Sequence, residues 1–259
     1  MGQRRRGGSE GSGSLKLIDT HAHLDEVKDV EGALARAREA GIGGIIAVGS
    51  DFPSNEKILR LADRFPGFVF PALGLHPWKL DGADVEANFG LMEKELPGCV
   101  AVGEVGLDFA IQTPREKQEE VFQRILTLAL RQKKPLLVHA RRAWGEALGM
   151  LQSAKVEKAV FHWYSGPLNT LSAISAGGYF ISATPAAAYS DRHRQAIREC
   201  PLDRLLLETD CPEAYRGKAS EPKDILTALR SASEIKGRPA EEVADQAYRN
   251  SVGFFQIPV

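Results

Sequence analysis

From Leu15 onward, short apolar runs alternate with longer amphipathic segments, and the alternation repeats eight times. No other feature restricts the fold as much. Strands are expected at Leu15–Asp19, Gly44–Val48, Phe68–Leu75, Val100–Leu107, Pro135–His139, Lys158–His162, Gly178–Ser182 and Arg204–Thr209. Helices are expected near Val30–Ala40, Ser54–Phe65, Val85–Leu96, Pro114–Gln132, Trp144–Ser153, Leu168–Ala176, Ser190–Glu199, Pro222–Ile235 and Ala240–Ser251. Pro114 suits the first turn of its helix, and Thr113 is the expected cap. Strands that alternate with helices pair in parallel, and eight of them close a barrel. The expectation is an α/β chain forming a single (β/α)8 TIM-type barrel over residues 15–259. An open eight-stranded sheet is the competing architecture. No Gly-rich nucleotide fingerprint follows the first strand, and there is no internal repeat or interdomain linker.

The length of 259 residues fits one such barrel. It also allows a core that needs no disulfide or structural metal, so a metal in this chain would serve chemistry. Residues 1–14 are Gly/Ser-rich and without apolar periodicity, which reads as a disordered tail. The arginines at 4–6 precede no apolar stretch, so they are not an export signal, and no segment has the length of a membrane span. Three cysteines, Cys99, Cys200 and Cys211, without a paired spacing point to reduced thiols and a cytoplasmic setting. A net charge of −1 argues against tight, non-specific binding of nucleic acid. It leaves room for a weakly bound phosphodiester. Nothing in the sequence reads out an oligomeric state.

The candidate chemistry gathers at strand ends. His21 and His23 follow the first strand two positions apart, so both imidazoles reach one face. Glu104 sits late in the fourth strand. His139, His162 and Asp210 end the fifth, sixth and eighth. In a barrel these ends meet at one face, where active sites are built. Each signal alone is weak, since a lone strand-end acid is more often a cap. Together, unpaired, they would be costly to bury, and metals would compensate them. Four imidazoles and two carboxylates suit Zn²⁺, Mn²⁺ or Fe²⁺, and Mg²⁺ less naturally. Two divalent ions are the economical reading, with Glu104 bridging them. Such a pair, about 3.5–4 Å apart, can hold a hydroxide and clamp an in-line displacement.

The stretches Ile18-Asp-Thr-His-Ala-His-Leu-Asp25, Gly74-Leu-His-Pro77, Val102-Gly-Glu-Val-Gly-Leu-Asp108, Val138-His-Ala-Arg141, Phe161-His162 and Leu207-Glu-Thr-Asp-Cys-Pro212 resemble the TatD family of metal-dependent deoxyribonucleases, within the amidohydrolase-like barrels. They lie in the family's order and span nearly the whole barrel. The resemblance implies that His21, His23, Glu104 and Asp210 hold one metal, and that Glu104, His139 and His162 hold the second. It makes Asp210 the group that deprotonates the attacking water, with Glu104 its bridging partner in catalysis. His76 and Arg141 match positions facing the substrate phosphate. Two loops depart from the family pattern. His162-Trp163-Tyr164 stands for the usual His-Cys-Phe, and Cys211-Pro212-Glu213-Ala214-Tyr215 replaces the usual Ala-Pro-Tyr-Leu after the Asp. Both border the pocket and bear on the substrate, not the metals.

Trp163 and Tyr164 are expected to stack nucleobases at the mouth, with packing under a loop the alternative for one of them. Asp19, Asp25, Asp108 and Glu208 lie beside ligands, as acceptors that fix imidazole tautomers. His193 falls in a polar helix start and is left out of the site. Arg142, Arg192, Arg194, Arg216 and Lys218 follow strand ends, as either a local phosphate funnel or a solvated rim. The expected function is trimming of single-stranded DNA ends by a two-metal deoxyribonuclease. The alternative is a deacylase, esterase or amidohydrolase on the same cradle, acting on a small molecule or aminoacyl ester. Related barrels often bridge their metals with a carboxylated lysine on strand four. No lysine lies between Val100 and Ala110, which favours the Glu-bridged, nuclease-like branch. A non-catalytic metal module would lack a water-activating carboxylate, and Asp210 is present.

Overall fold

A computed structural model describes residues 16–258, so the reading of residues 1–14 as a disordered tail lies outside the described residues. The strands are β1 (Leu17–Ala22), β2 (Ile42–Val48), β3 (Val69–Leu73), β4 (Ala101–Asp108), β5 (Leu136–Arg141), β6 (Ala159–Phe161), β7 (Phe180–Ala183) and β8 (Leu205–Leu207). They form one parallel sheet in sequence order. Ala22 bridges in parallel to Cys211, just beyond β8, and His23 N–H donates to the Cys211 carbonyl at 2.7 Å. That contact brings the last strand round to the first and closes the barrel.

Between the strands run α1 (Val30–Glu39), α2 (Phe52–Arg64), α3 (Val85–Glu95), α4 (Arg115–Gln132), α5 (Trp144–Ser153), α6 (Leu168–Ala176) and α7 (Asp191–Glu199). After β8 come α8 (Ile225–Lys236) and α9 (Ala240–Phe255). The strands are covered on both faces, which explains runs as apolar as Leu205-Leu206-Leu207. One apolar cluster fills the space between strands and helices. A second gathers Ile18, Ile46, Phe70, Leu137, Val160 and Leu206 with Phe254 and Phe255 at the end of α9. Ile18, Phe70 and Leu137 are the second residues of their strands, so the end of α9 covers the N-terminal end of the barrel. The C-terminal end is left for the polar residues.

The expected elements are present, with shifted ends. β1 runs on to Ala22, so His21 lies within it, and β5 runs two residues past His139. β8 stops at Leu207, three residues before Asp210. Thr113 does not cap α4. Pro114 holds the cap position without a side-chain bond, and the Thr113 hydroxyl donates to Asp81 Oδ2 at 2.8 Å. A small antiparallel hairpin after β8, β9 (Ala214–Tyr215) with β10 (Lys218–Ala219), had no expectation in the sequence.

Candidate metal centre

β4 carries the central residue. Its register with β5 shifts between Val102 and Val105, a bulge that re-aims the side chain of Glu104. Two residues on, Gly106 has φ +142°, and a Cβ there would lie 2.0 Å from the His139 carbonyl oxygen. Only glycine lets β4 and β5 approach closely enough to set Glu104 beside His139. Trp163 at φ 43° and Asp210 at φ 52°, both bordering the pocket, also have left-handed backbones. Trp163 N–H is held by Ser182 Oγ and Glu208 Oε1, both at 2.9 Å, and Asp210 N–H by the His21 carbonyl at 2.9 Å. Strain of this kind persists where the surroundings over-determine it, and it clusters at functional sites.

The two oxygens of Glu104 face different groups. Oε2 lies 3.4 Å from His21 Nε2 and 3.1 Å from His23 Nε2. Those imidazoles are 3.4 Å apart, and each is 3.5 Å from Asp210 Oδ1. Oε1 lies 2.8 Å from His162 Nε2, 3.1 Å from His139 Nδ1 and 3.3 Å from His76 Nε2. His139 Nδ1 and His162 Nε2 are 3.3 Å apart. Tetrahedral coordination at 2.0–2.1 Å places ligand atoms about 3.3–3.4 Å from one another. The pairs around Oε2 lie close to that spacing, whereas around Oε1 the His139–His162 pair matches it and the His162–Glu104 pair is tighter, at 2.8 Å.

The electrostatics fit a cation. Burial by itself would raise the Glu104 carboxyl, but His76, His162 and His21 outweigh it and hold it well below its usual range. Burial opposes charge on His23 and His162 as well. Their carboxylate neighbours, Asp210 and Glu104 for His23 and Glu104 and Glu208 for His162, still push both well above an ordinary imidazole. Without an ion, protons on crowded imidazoles are what offset the buried carboxylates. A divalent ion does this without the repulsion between imidazolium groups. His21 Nδ1, His23 Nδ1 and His162 Nδ1 are buried with no hydrogen-bond partner.

Of the four acids expected to orient imidazoles, Asp108 accepts from His139 Nε2 at 3.2 Å, which leaves Nδ1 to face Glu104. Glu208 Oε1 lies 3.4 Å from His162 Nδ1, outside hydrogen-bond geometry. Asp19 does something else. It accepts from Thr209 N–H at 2.9 Å and Thr209 Oγ1 at 2.5 Å, tying β1 to the segment that carries Asp210. Asp25 Oδ1 is buried without a partner.

Of the candidate ligands, His23, Glu104, His139, His162 and Asp210 border a cavity of about 500 Å³ that also takes in His76, Arg141 and Trp163. Arg141 is exposed and 3.8 Å from Asp108. His76 caps the turn at Pro77–Lys79, with Nδ1 accepting from Trp78 N–H at 3.1 Å, while its Nε2 faces Glu104. Tyr164 is not at the mouth. Its ring is fully buried beside Trp144 and Phe161, and its hydroxyl donates to the Pro167 carbonyl at 2.7 Å. It packs the loop from below. His193 is buried under the same loop, its Nδ1 2.8 Å from the Tyr164 carbonyl oxygen.

Sequence reasoning missed Trp78. It borders the cavity, is 56% exposed, and donates its indole N–H to Asp108 Oδ2 at 2.6 Å. Its place two residues after His76, at a strand end, was the available signal.

A family model described as TatD related DNase matches residues 18–256. Putative deoxyribonuclease TATDN3 of Mus musculus is 32% identical, the alignment covering 93% of this chain and 88% of that protein. Deoxyribonuclease TATDN3 of Homo sapiens is 30% identical over 92% of this chain and 94% of its own. The crystal structure of YjjV, a TatD homolog from Escherichia coli K12, superposes with a TM-score of 0.86 at 30% identity, covering 93% and 98% of the two chains. More distant solved barrels, such as a Listeria monocytogenes lactonase at 12% identity and TM-score 0.64, share the fold alone.

Proposed function

The chain belongs to the TatD-related DNase family of metal-dependent hydrolases, and from that premise we propose that it trims single-stranded DNA from a free end, with Glu104 shared between two divalent ions. The observation that carries the reading is the division of Glu104, with Oε2 toward His21 and His23 and Oε1 toward His139 and His162. Bound Zn²⁺, Mn²⁺, Fe²⁺ or Mg²⁺ would supply Lewis-acid polarisation of the phosphoryl oxygens and a more acidic water.

The chain's own residues do the rest. Glu104 fixes the spacing between the two halves of the site. Asp108 holds His139 in the tautomer that offers Nδ1. Asp210 turns Oδ1 toward His21 and His23 and takes the proton of the attacking water on Oδ2. His76 accepts from Trp78 N–H through Nδ1, so its proton sits on Nε2, and burial, which lowers its pKa to about 4, keeps the ring neutral. That N–H lies 3.3 Å from Glu104 Oε1, and it is the uncharged donor that a substrate phosphate entering beside Glu104 would meet. Arg141 supplies the charge, gripping the same phosphate from the exposed side. Trp163 and Trp78 flank the opening and give an unpaired terminal base faces on which to stack. The three cysteines are buried and unpaired, which supports a reducing, cytoplasmic setting. Among the described residues no helix is long and apolar enough to cross a membrane.

Hydrolysis of esters or amides is the less favoured reading, because the family match lies with deoxyribonucleases. The test is metal-loaded protein on end-labelled linear single strands, the same strand circularised, a duplex and an ester panel. Linear strands are expected to be degraded fastest. Equal loss of the circle would remove the exonuclease assignment, and turnover of esters alone would remove the nuclease.

A further inference from the structure

A second cavity, of about 280 Å³, opens on the same end of the barrel as the metal centre. One wall is the segment after β7, with the short 3-10 turn Pro185–Ala188 and then Tyr189. The other is the β9–β10 hairpin after β8, with Tyr215, Arg216 and Lys218. In (β/α)8 barrels the segments after strands seven and eight are a recurrent place for phosphate. The two cavities are adjacent. Trp163 borders the metal pocket and Tyr215 the second groove, with ring centroids 5.5 Å apart.

The hairpin turns through Arg216 and Gly217, with φ of 52° and 81°. Two consecutive positive φ values define the tight turn that favours Asn-Gly or Gly-Gly. Gly217 meets that demand at no steric cost. Arg216 does not, because a side chain with a Cβ is strained in a left-handed backbone. What the position gains is a guanidinium 5.0 Å from the ring centroid of Tyr189, a tyrosine 39% exposed. Among the described residues neither Arg216 nor Lys218 takes part in an ion pair within 4.0 Å. The one acid in the groove, Asp224, is engaged by the Glu221 N–H at 2.9 Å. Two free cations and an exposed aromatic ring are the features that hold a single nucleic-acid strand.

We propose that this groove is a second phosphate subsite, in which Arg216 and Lys218 hold the backbone of the DNA strand one or more nucleotides away from the bond being cleaved. The proposal rests on the deoxyribonuclease reading above. It gives the neutral chain a local basic site that acts only on substrates long enough to leave the metal pocket.

The test compares wild type with Arg216→Gly, Arg216→Asn and Arg216→Gly/Lys218→Ala. Gly and Asn suit the turn, so these variants keep the hairpin. The substrates are bis(4-nitrophenyl) phosphate, a dinucleotide and a longer oligothymidylate, with binding followed by fluorescence anisotropy on a nuclease-resistant phosphorothioate strand. Wild type should favour the longer strand over the dinucleotide. Each single variant should raise KM for the longer strand roughly tenfold, the loss of one charge-assisted contact. Values of kcat, and rates on the chromogenic ester, should be unchanged. The double variant should also lower the slope of log Kd against log salt by about 0.7 per lost phosphate contact. If both strands are cleaved and the double variant keeps the length advantage and the salt slope, the subsite is wrong and the deoxyribonuclease stands. If the ester is cleaved but neither strand is cleaved or bound, both readings fall.

Discussion

Oδ2 of Asp108 accepts from the indole N–H of Trp78 at 2.6 Å and from His139 Nε2 at 3.2 Å, so one carboxylate oxygen links an exposed aromatic ring to a proposed metal-ligating imidazole. Burial alone would raise the Asp108 carboxyl, and the His139 and Trp78 hydrogen bonds bring it down to about 2. It is therefore a fixed anion at any working pH. Loss of an acid that orients a ligating histidine typically weakens metal binding by about 10- to 100-fold. Asp108→Asn should do so for the more weakly held ion, read by competition with a chromogenic chelator. Trp78→Phe keeps the ring and loses only one donor, so its effect should be under about tenfold. Unchanged affinity in Asp108→Asn would mean that His139 does not ligate through Nδ1.

Reloaded wild type should hold two ions per chain, and Glu104→Gln should reduce this toward one or none and lower turnover by at least about a thousandfold. The amide keeps the shape but supplies no charge to either imidazole group. Elemental analysis of reloaded protein, with circular dichroism to confirm folding, decides it. Two ions retained in the variant would rule out a shared carboxylate.

Asp210→Asn separates proton transfer from the fold. The left-handed backbone at 210 accepts Asn readily, so the variant should fold. Its turnover should fall by about a hundredfold or more, the usual contribution of a positioned general base. Hydrolysis within tenfold of wild type would take Asp210 out of the mechanism.

The aromatic residues divide by position. Trp78→Ala and Trp163→Ala should each raise KM for oligonucleotides roughly tenfold through lost base stacking. Tyr164→Phe should leave KM alone and cost about 1 kcal/mol of stability through the lost bond to Pro167. A raised KM in Tyr164→Phe with unchanged denaturant midpoint would contradict the buried placement of that ring.

Burial pushes the Cys99 and Cys200 thiols up to about 12, with the lysine neighbours Lys134 and Lys236 only partly offsetting it. A raised folded-state pKa gives stability that is full below the unfolded value and is lost as pH rises through the folded one. Stability should therefore decline between about pH 8.5 and 12, and native thiols should resist alkylation at pH 8. Urea titrations across that range, with mass-spectrometric counting of alkylated thiols, check both. Rapid native labelling of Cys99 or Cys200 would contradict their burial.

The sequence alone determined the barrel and the convergence of the candidate ligands. Short apolar strands and amphipathic helices repeated eight times admit few packings. Once the barrel closes, residues at strand ends meet regardless of their distance in the chain, so His21 and Asp210 were legible without coordinates. Beyond a strand end the period-two rule stops, and the backbone angles of each loop choose which side chain faces the pocket. At φ 43° Trp163 turns toward the cavity and Tyr164 turns under the loop, so the sequence pair divides, with Tyr164 taking the packed alternative. The same limit hid Trp78, whose role depends on an indole reaching Asp108 across the mouth, and Arg216, whose guanidinium meets Tyr189 from another loop. Tertiary structure also decided how Glu104 divides its oxygens, because a bulge in β4, absent from any residue pattern, sets the angle of its side chain.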